Sequence, residues 1–397
     1  MHQEHLEPGD RYEEVAQTTR RILALPKESA AEAITRSVTR ILDEKRIGDA
    51  KLVRLRDLMM PIWADFYYQL VFGEDCPPLA RALIVDNAND VVSALKMTSL
   101  RHMGKRRRLT RFLMNKLAEG KVPHALPEEL SLEERAFYLQ GVFFNTAIVQ
   151  MSEAMTHLFL FIAQHEDVQT KLFANLDDER YFGHVITESL RVCPLFGIAH
   201  RITSADIVID KQATIPRGSV LCFNYQKFHH AGYRDPERFD PERWGSLLIR
   251  EANYMPFGVL TNRPCPAQAI ALVTMRATAR EMLRRFVLYS SADHTRSIPN
   301  RGPCLLVARE GKCSALRRKA ILLLMWAREG REEVGRSIVQ LILGAYMVWD
   351  ARRLRLCQTY FEMENHQSAK SSAGNPSRGR CPFPKRANQT RKESKPA

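Results

Sequence analysis

Between Met255 and Gln268 the chain reads Met-Pro-Phe-Gly-Val-Leu-Thr-Asn-Arg-Pro-Cys-Pro-Ala-Gln, and its one thiol is Cys265. Pro264 and Pro266 lack an amide hydrogen and have a fixed φ, so they stiffen the loop, and a helical pattern from Ala267 to Phe286 follows at once. A sulfur at that place faces exposed amides and the positive end of a helix dipole, which favour the thiolate a metal ligand needs. Taken alone, the residue reads as a small buried hydrophobe. Upstream, Glu188 and Arg191 stand three apart on a helical pattern, so both project from one face and can form a charge-assisted pair, buried or on the surface.

Taken in order along the chain, these residues and their neighbours resemble the cytochrome P-450 family, the haem-thiolate monooxygenases. Glu188-Ser-Leu-Arg191 matches that family's Glu-x-x-Arg motif, and Phe239-Asp-Pro-Glu-Arg243-Trp244 is similar to the segment whose arginine completes its ion-pair network. Phe257 to Cys265 resembles the haem-binding loop, Thr214-Ile-Pro-Arg-Gly-Ser219 the Ile-Pro-x-Gly turn, and Arg296-Ser-Ile-Pro-Asn-Arg-Gly-Pro303 the C-terminal hairpin. The resemblance is strongest over residues 140–307. It implies a mainly α fold with small β-sheets and haem (iron protoporphyrin) as cofactor. It further implies Cys265 as axial iron ligand, Arg263 and Arg201 as propionate partners, Phe257 against the sulfur face, and a structural role for Glu188, Arg191 and Arg243. Oxidation of an apolar substrate, with electrons from a reductase or ferredoxin, is the activity implied. Leu195, Phe196, Ile198 and Ala199 would then line the substrate side.

Several positions depart from the family pattern. Leu260 and Thr261 stand where the loop's second glycine belongs, one residue is added between Phe257 and Cys265, and Ala267 replaces the final glycine. Counting back from His165 puts Val149-Gln150 where the family has an acid and a threonine that relay protons to the reacting oxygen. Asn145-Thr146 and Ser152-Glu153 lie about one turn to either side. Gln150 and Glu153 are therefore the distal-helix candidates, and no other catalytic residue is assigned. The family's sheet-and-helix portion before Asp57, with its Trp-x-x-x-Arg, is expected to be incomplete, the first tryptophan being Trp63. Two alternatives follow: a peroxide-using or non-oxygenase haem-thiolate enzyme, and an inactive haem-binding or interaction fragment.

The 397 residues, 45% hydrophobic and 26% charged, can bury a sizeable core. Net charge is +14, but residues 311–397 hold 18 Lys and Arg against 7 Asp and Glu, a net +11, which leaves +3 for residues 1–310. The basicity belongs to the tail, so the expected organisation is a haem domain over 1–310 and a basic extension over 311–397, partly helical and then disordered. Nucleic acid is not the expected partner. Eight cysteines without a Cys-x-x-Cys pair argue against a disulfide framework or a structural zinc site. No signal or anchor pattern opens the chain and the apolar run Ile338 to Trp349 falls short of the roughly 20 residues a span needs, so a soluble, cytoplasmic protein is expected.

The elements that must position these residues are mostly helical. Periodicity predicts helices within residues 13–48 broken at Pro26, over Asp57 to Phe72, over Asp86 to Leu117 with a basic face from Arg101 to Arg111, and over Tyr181 to Arg191. Ser131 to His165 is the longest pattern and the candidate haem-crossing helix, while Ala267 to Arg285 would pack beneath the haem. Asp206 to Asp210 and Ser219 to Phe223 alternate like short strands. In the tail, Ala320 to Trp326 and Ile338 to Trp349 are expected to be helical.

Overall fold

The computed structural model describes residues 9–203, 205–210, 212–258, 265–295, 299–355 and 359. Two helices open the described chain, α1 (Asp10–Leu23) and α2 (Lys27–Lys45), parted where Pro26 cannot continue the first. Strand β1 (Ala50–Arg54) leads into α3 (Leu55–Phe72), which is buried on nearly every side and stops at Gly73 with a left-handed φ of 68°.

Where the sequence pattern predicts one helix from Asp86 to Leu117, the structure has two, α4 (Pro78–Leu95) and α5 (Met103–Ala118). The break has a polar cause. Met97 turns into positive φ, and the Asp90 carboxylate accepts from the Arg101 guanidinium and from the His102 backbone amide, holding the corner closed. On α5 the side chains of Arg106, Arg107, Arg108 and Arg111 are exposed, a solvated basic face.

Next comes the longest rod: α6 (Leu132–Gly141), a wide π-helical turn at Val142–Ala147, and α7 (Ile148–Gln164). A capping box between Ser131 and Glu134 starts it. This rod is long and apolar enough to cross a membrane, yet 67% of its most apolar stretch is buried within the fold, as in a core helix. It is followed by α8 (Glu166–Ala174) and α9 (Glu179–Val192), the latter capped by Asp178.

A β-rich stretch holds β2 (Ile198–Ile202), β3 (Ile207–Val208), β4 (Thr214–Ile215) and β5 (Val220–Asn224), with β2 antiparallel to β5 and β3 to β4. The β4–β5 turn uses Gly218 at φ 82°, a conformation that favours glycine. After a short α10 (Tyr225–His230), α11 (Gln268–Arg285) runs along α2, and α3 lies between α2 and α7. Their facing side chains, among them Ile34, Val38, Trp63, Phe66, Met155, Leu158, Met275 and Met282, form the main core. At 25 cal/mol per Å² each such large side chain contributes about 2 kcal/mol of burial.

Strands β6 (Phe286–Tyr289) and β7 (Pro303–Ala308) close a three-stranded antiparallel sheet in the order β1-β7-β6. Residues 296–298 of the expected hairpin lie outside the described residues. A single helix, α12 (Ala315–Leu354), replaces the two short tail helices. Its first half packs on that sheet: Met325 is buried with Ala292, Leu305 and Val307, and Arg54 pairs with Glu332 at 2.7 Å. The first compact unit accordingly runs to Leu343, beyond the boundary at 310 read from charge, because apolar contacts and not net charge decide what folds together. The second unit, Gly344–Ala397, contributes the end of α12, where Arg353 stacks over Trp349 at 5.2 Å.

Candidate haem-thiolate site

Cys265 lies three residues before α11, half-buried; its amide donates to the Phe257 carbonyl (3.1 Å) and its own carbonyl accepts from the Gln268 amide (3.3 Å). The thiol thus stands at the N-terminal end of an 18-residue helix, beside the positive pole of its dipole. Tyr67 of α3 is close enough that a negative sulfur opposes its ionisation; burial first, and Cys265 second, push that phenol far above its ordinary value. Tyr67 sits in an apolar helix among Trp63 and Phe66, so sequence patterning reads it as core. Phe257 is half-buried against the main core, while residues 259–264, Arg263 among them, lie outside the described residues.

The loop is held from behind. Glu188 and Arg191 of α9 are both fully buried, with Arg191 Nε to Glu188 Oε2 and Nη2 to Oε1 each at 2.8 Å. Glu188 also accepts from Arg243 Nε (2.9 Å), Trp244 Nε1 (2.9 Å) and the Asp240 amide (3.0 Å). Arg191 also donates to the carbonyls of Pro236 (2.7 Å), Arg238 (3.2 Å) and His229 (3.5 Å). Each buried charge therefore has an opposite charge and several hydrogen bonds, the condition under which burial of ions is tolerated.

From this cluster the connection to the cysteine loop runs through His229, which sequence reasoning missed. Its Nε2 accepts the Met255 amide at 2.8 Å, two residues before Phe257, and its ring stacks on Tyr254. Burial pushes the His229 imidazole down to about 4, so at neutral pH it stays an uncharged acceptor. A histidine inside Phe-His-His carries no signal of that role, because only the folded path brings α10 against residue 255.

Before α7 the rod widens into the π turn. In the middle of the rod Asn145, Thr146, Val149 and Gln150 are half-exposed, and their spacing puts them on one face. Asn145 and Thr146 fall inside the wide turn, and Asn145 Oδ1 is buried without a hydrogen-bond partner among the described residues. Such turns concentrate at functional sites. Counting back from His165 selects Val149-Gln150; the irregularity comes one turn earlier, at the pair weighed as its neighbour. Glu153 is held in an ion-pair cluster, its Oε1 accepting from Arg56 Nη1 (2.8 Å) and Lys96 Nζ (2.9 Å). Burial lowers Lys96 to about 8 in spite of that carboxylate.

Arg201 stands exposed on β2, its Nη1 bonded to the adjacent His200 carbonyl. Phe196 and Ile198 are exposed as well, with Leu195 and Ala199 partly so.

A half-buried thiol at a helix N-terminus, on a loop braced by the Glu188-Arg191-Arg243 cluster, is the arrangement of a haem-thiolate class of protein. The donor set fits haem on its sulfur side, and Asn145 Oδ1 is a buried polar atom without a hydrogen-bond partner among the described residues. The family model for cytochrome P-450 matches residues 68–314, and the chain belongs to that family. Among curated relatives, the cyclooctat-9-en-7-ol 5-monooxygenase of Streptomyces melanosporofaciens is 29% identical over 140 residues, 30% of each chain. Cytochrome P-450 3A2 of Rattus norvegicus is 29% identical over 157 residues, 34% of this chain and 30% of its own. The matches thus span about a third of the length of these relatives. A six-coordinated cytochrome P-450 from Thermus thermophilus shares the fold with TM-score 0.60 and 20% identity, covering 77% of this chain and 82% of its own. Ligand-free cytochrome P-450 OleT does so with TM-score 0.62 at 15% identity, covering 77% and 80%.

Proposed function

We propose that this chain is a haem-thiolate monooxygenase that oxidises an apolar substrate, with Cys265 as the axial ligand to iron. The observation that carries this reading is the Cys265 sulfur at the α11 N-terminus, on a loop tied through His229 to the Glu188-Arg191-Arg243 cluster. A thiolate-ligated haem supplies oxygen activation by donating electron density to iron. The chain's own residues do the rest. The helix end sets the positive pole of its dipole beside the sulfur, and the buried cluster keeps its loop in place. Thr146 and Asn145 hold a proton or an ordered water at the distal face, through a hydroxyl and a free amide oxygen. Gln150, one turn on along the same face, adds an amide. Arg263 and Arg201 are assigned to the haem propionates, which requires Arg201 to exchange its bond to the His200 carbonyl for a carboxylate. A reductase or ferredoxin is the proposed electron donor, and Leu195, Phe196, Ile198 and Ala199 the apolar lining.

A second reading has its own support: among the described residues no carboxylate lies on the half-exposed face of α7, since Glu153 is bound to Arg56 and Lys96. That favours a peroxide-driven enzyme, which needs no separate delivery of protons to oxygen. Turnover of an apolar substrate should be measured with reductase plus O2 and with peroxide. Activity with the first supports the monooxygenase; activity with peroxide alone replaces it.

A further inference from the structure

Away from the Cys265 loop, three side chains with metal-ligating atoms converge from three separate elements: His157 on α7, Cys193 just after α9, and His294 after β6. His157 Nδ1 and His294 Nε2 are 2.8 Å apart, Cys193 Sγ is 4.0 Å from His294 Nε2, and one ligand atom of each falls within 4.8 Å of the others. These residues are 137 and 101 positions apart in sequence, so spacing along the chain could not show the cluster.

We propose that His157, Cys193 and His294 bind a divalent cation of the zinc class, as a site separate from the haem iron. Two imidazole nitrogens and one thiolate are a borderline-soft donor set that suits zinc or cobalt over magnesium or calcium. Metal–nitrogen bonds of about 2.0–2.1 Å and a metal–sulfur bond of about 2.3 Å put tetrahedral ligand atoms roughly 3.3–3.6 Å apart. The observed 2.8 and 4.0 Å bracket that range, so shifts of about half an ångström close the site. His157 and Cys193 are buried, and the Phe161 ring lies 4.0 Å from His294 and stacks on Phe239, which makes a dry wall.

Binding exchanges the His157–His294 hydrogen bond for two metal–nitrogen bonds, and the Cys193 thiol releases its proton to solvent; no electrons move. The fourth position takes water. The cation would tie α7 to the end of α9, two residues beyond Arg191, so its effect is on stability. The inference does not rest on haem binding.

The test is titration of the full-length Cys265→Ser protein, freed of metal, with Co²⁺ followed by Zn²⁺. The expected result is one Co²⁺ per chain, with a thiolate-to-cobalt charge-transfer band and tetrahedral visible bands, displaced by Zn²⁺. Adding Cys193→Ser should abolish the charge-transfer band, and adding His294→Ala should weaken binding roughly tenfold or more. No Co²⁺ uptake by a chain that circular dichroism shows to be folded overturns the proposal, as does an unchanged spectrum in the Cys193→Ser variant. If that variant does not fold, His294→Ala decides: unaltered Co²⁺ affinity and an unaltered Zn²⁺-induced rise in Tm overturn it.

Discussion

Arg243 reaches Glu188 across 55 positions of sequence, Nε to Oε1 at 2.9 Å, and meets a carboxylate that already holds Arg191 in a bidentate grip. Two charges are thereby fully buried with a third at their edge, and removing the carboxylate would leave two guanidinium groups without that counter-charge. Glu188→Gln is expected to cost about 3–5 kcal/mol, the penalty of an uncompensated buried charge. Denaturant unfolding measures it, and a loss below about 1 kcal/mol would show the cluster is better solvated than its burial indicates.

His229 makes stability fall in acid. Its folded pKa of about 4 lies below the unfolded value of about 6.5, so the neutral form favours folding above pH 6.5. As pH drops from 6.5 to 4 the unfolded chain takes up a proton that the folded chain refuses, at about 1.4 kcal/mol per pH unit. His229→Gln keeps an acceptor for the Met255 amide but removes the titration. Unfolding free energy measured against pH should be flatter in this variant over that window, and an identical slope would contradict the assignment.

Gly302 packs where α3, α7 and β7 meet, at φ 67°, and its carbonyl accepts the Leu55 amide at 2.8 Å. A Cβ there would run into Thr156 Cγ2 and approach Leu55 and Leu160. Gly302→Ala is expected to lower stability by about 2–3 kcal/mol through overpacking and backbone strain. A neutral change in Tm would refute the packing argument.

The distal face gives a kinetic prediction. Thr146→Ala should lower O2-driven turnover by roughly tenfold or more while peroxide-driven turnover persists, and Gln150→Ala should lower it less. Steady-state rates with both oxidants check this. A larger effect at Gln150 would return the relay to the position that counting back from His165 selects.

Much of the cysteine side was legible in sequence because its parts are local. Glu-x-x-Arg is one helix turn, and Pro-Cys-Pro before a helical pattern fixes where the sulfur stands. The contacts that join these parts were not legible: His229, Trp244 and Tyr67 act through long-range packing that neither period nor spacing encodes. The distal side is a different case: counting back from His165 stays within regular α7 and selects Val149-Gln150, whereas the π turn at Asn145-Thr146 leaves no sign in the sequence, since a polar residue on an apolar rod gives none. The split of α4 from α5 depended on one carboxylate, Asp90, reaching across a corner.

The central claim is thiolate ligation by Cys265. It is tested by the reduced, carbon-monoxide difference spectrum of the haem-reconstituted protein beside its Cys265→Ser variant. The account predicts a thiolate-type Soret band in the first and its loss in the second, with haem still taken up in a weaker, non-thiolate form. The same band in both proteins, or no thiolate band in either, would contradict it.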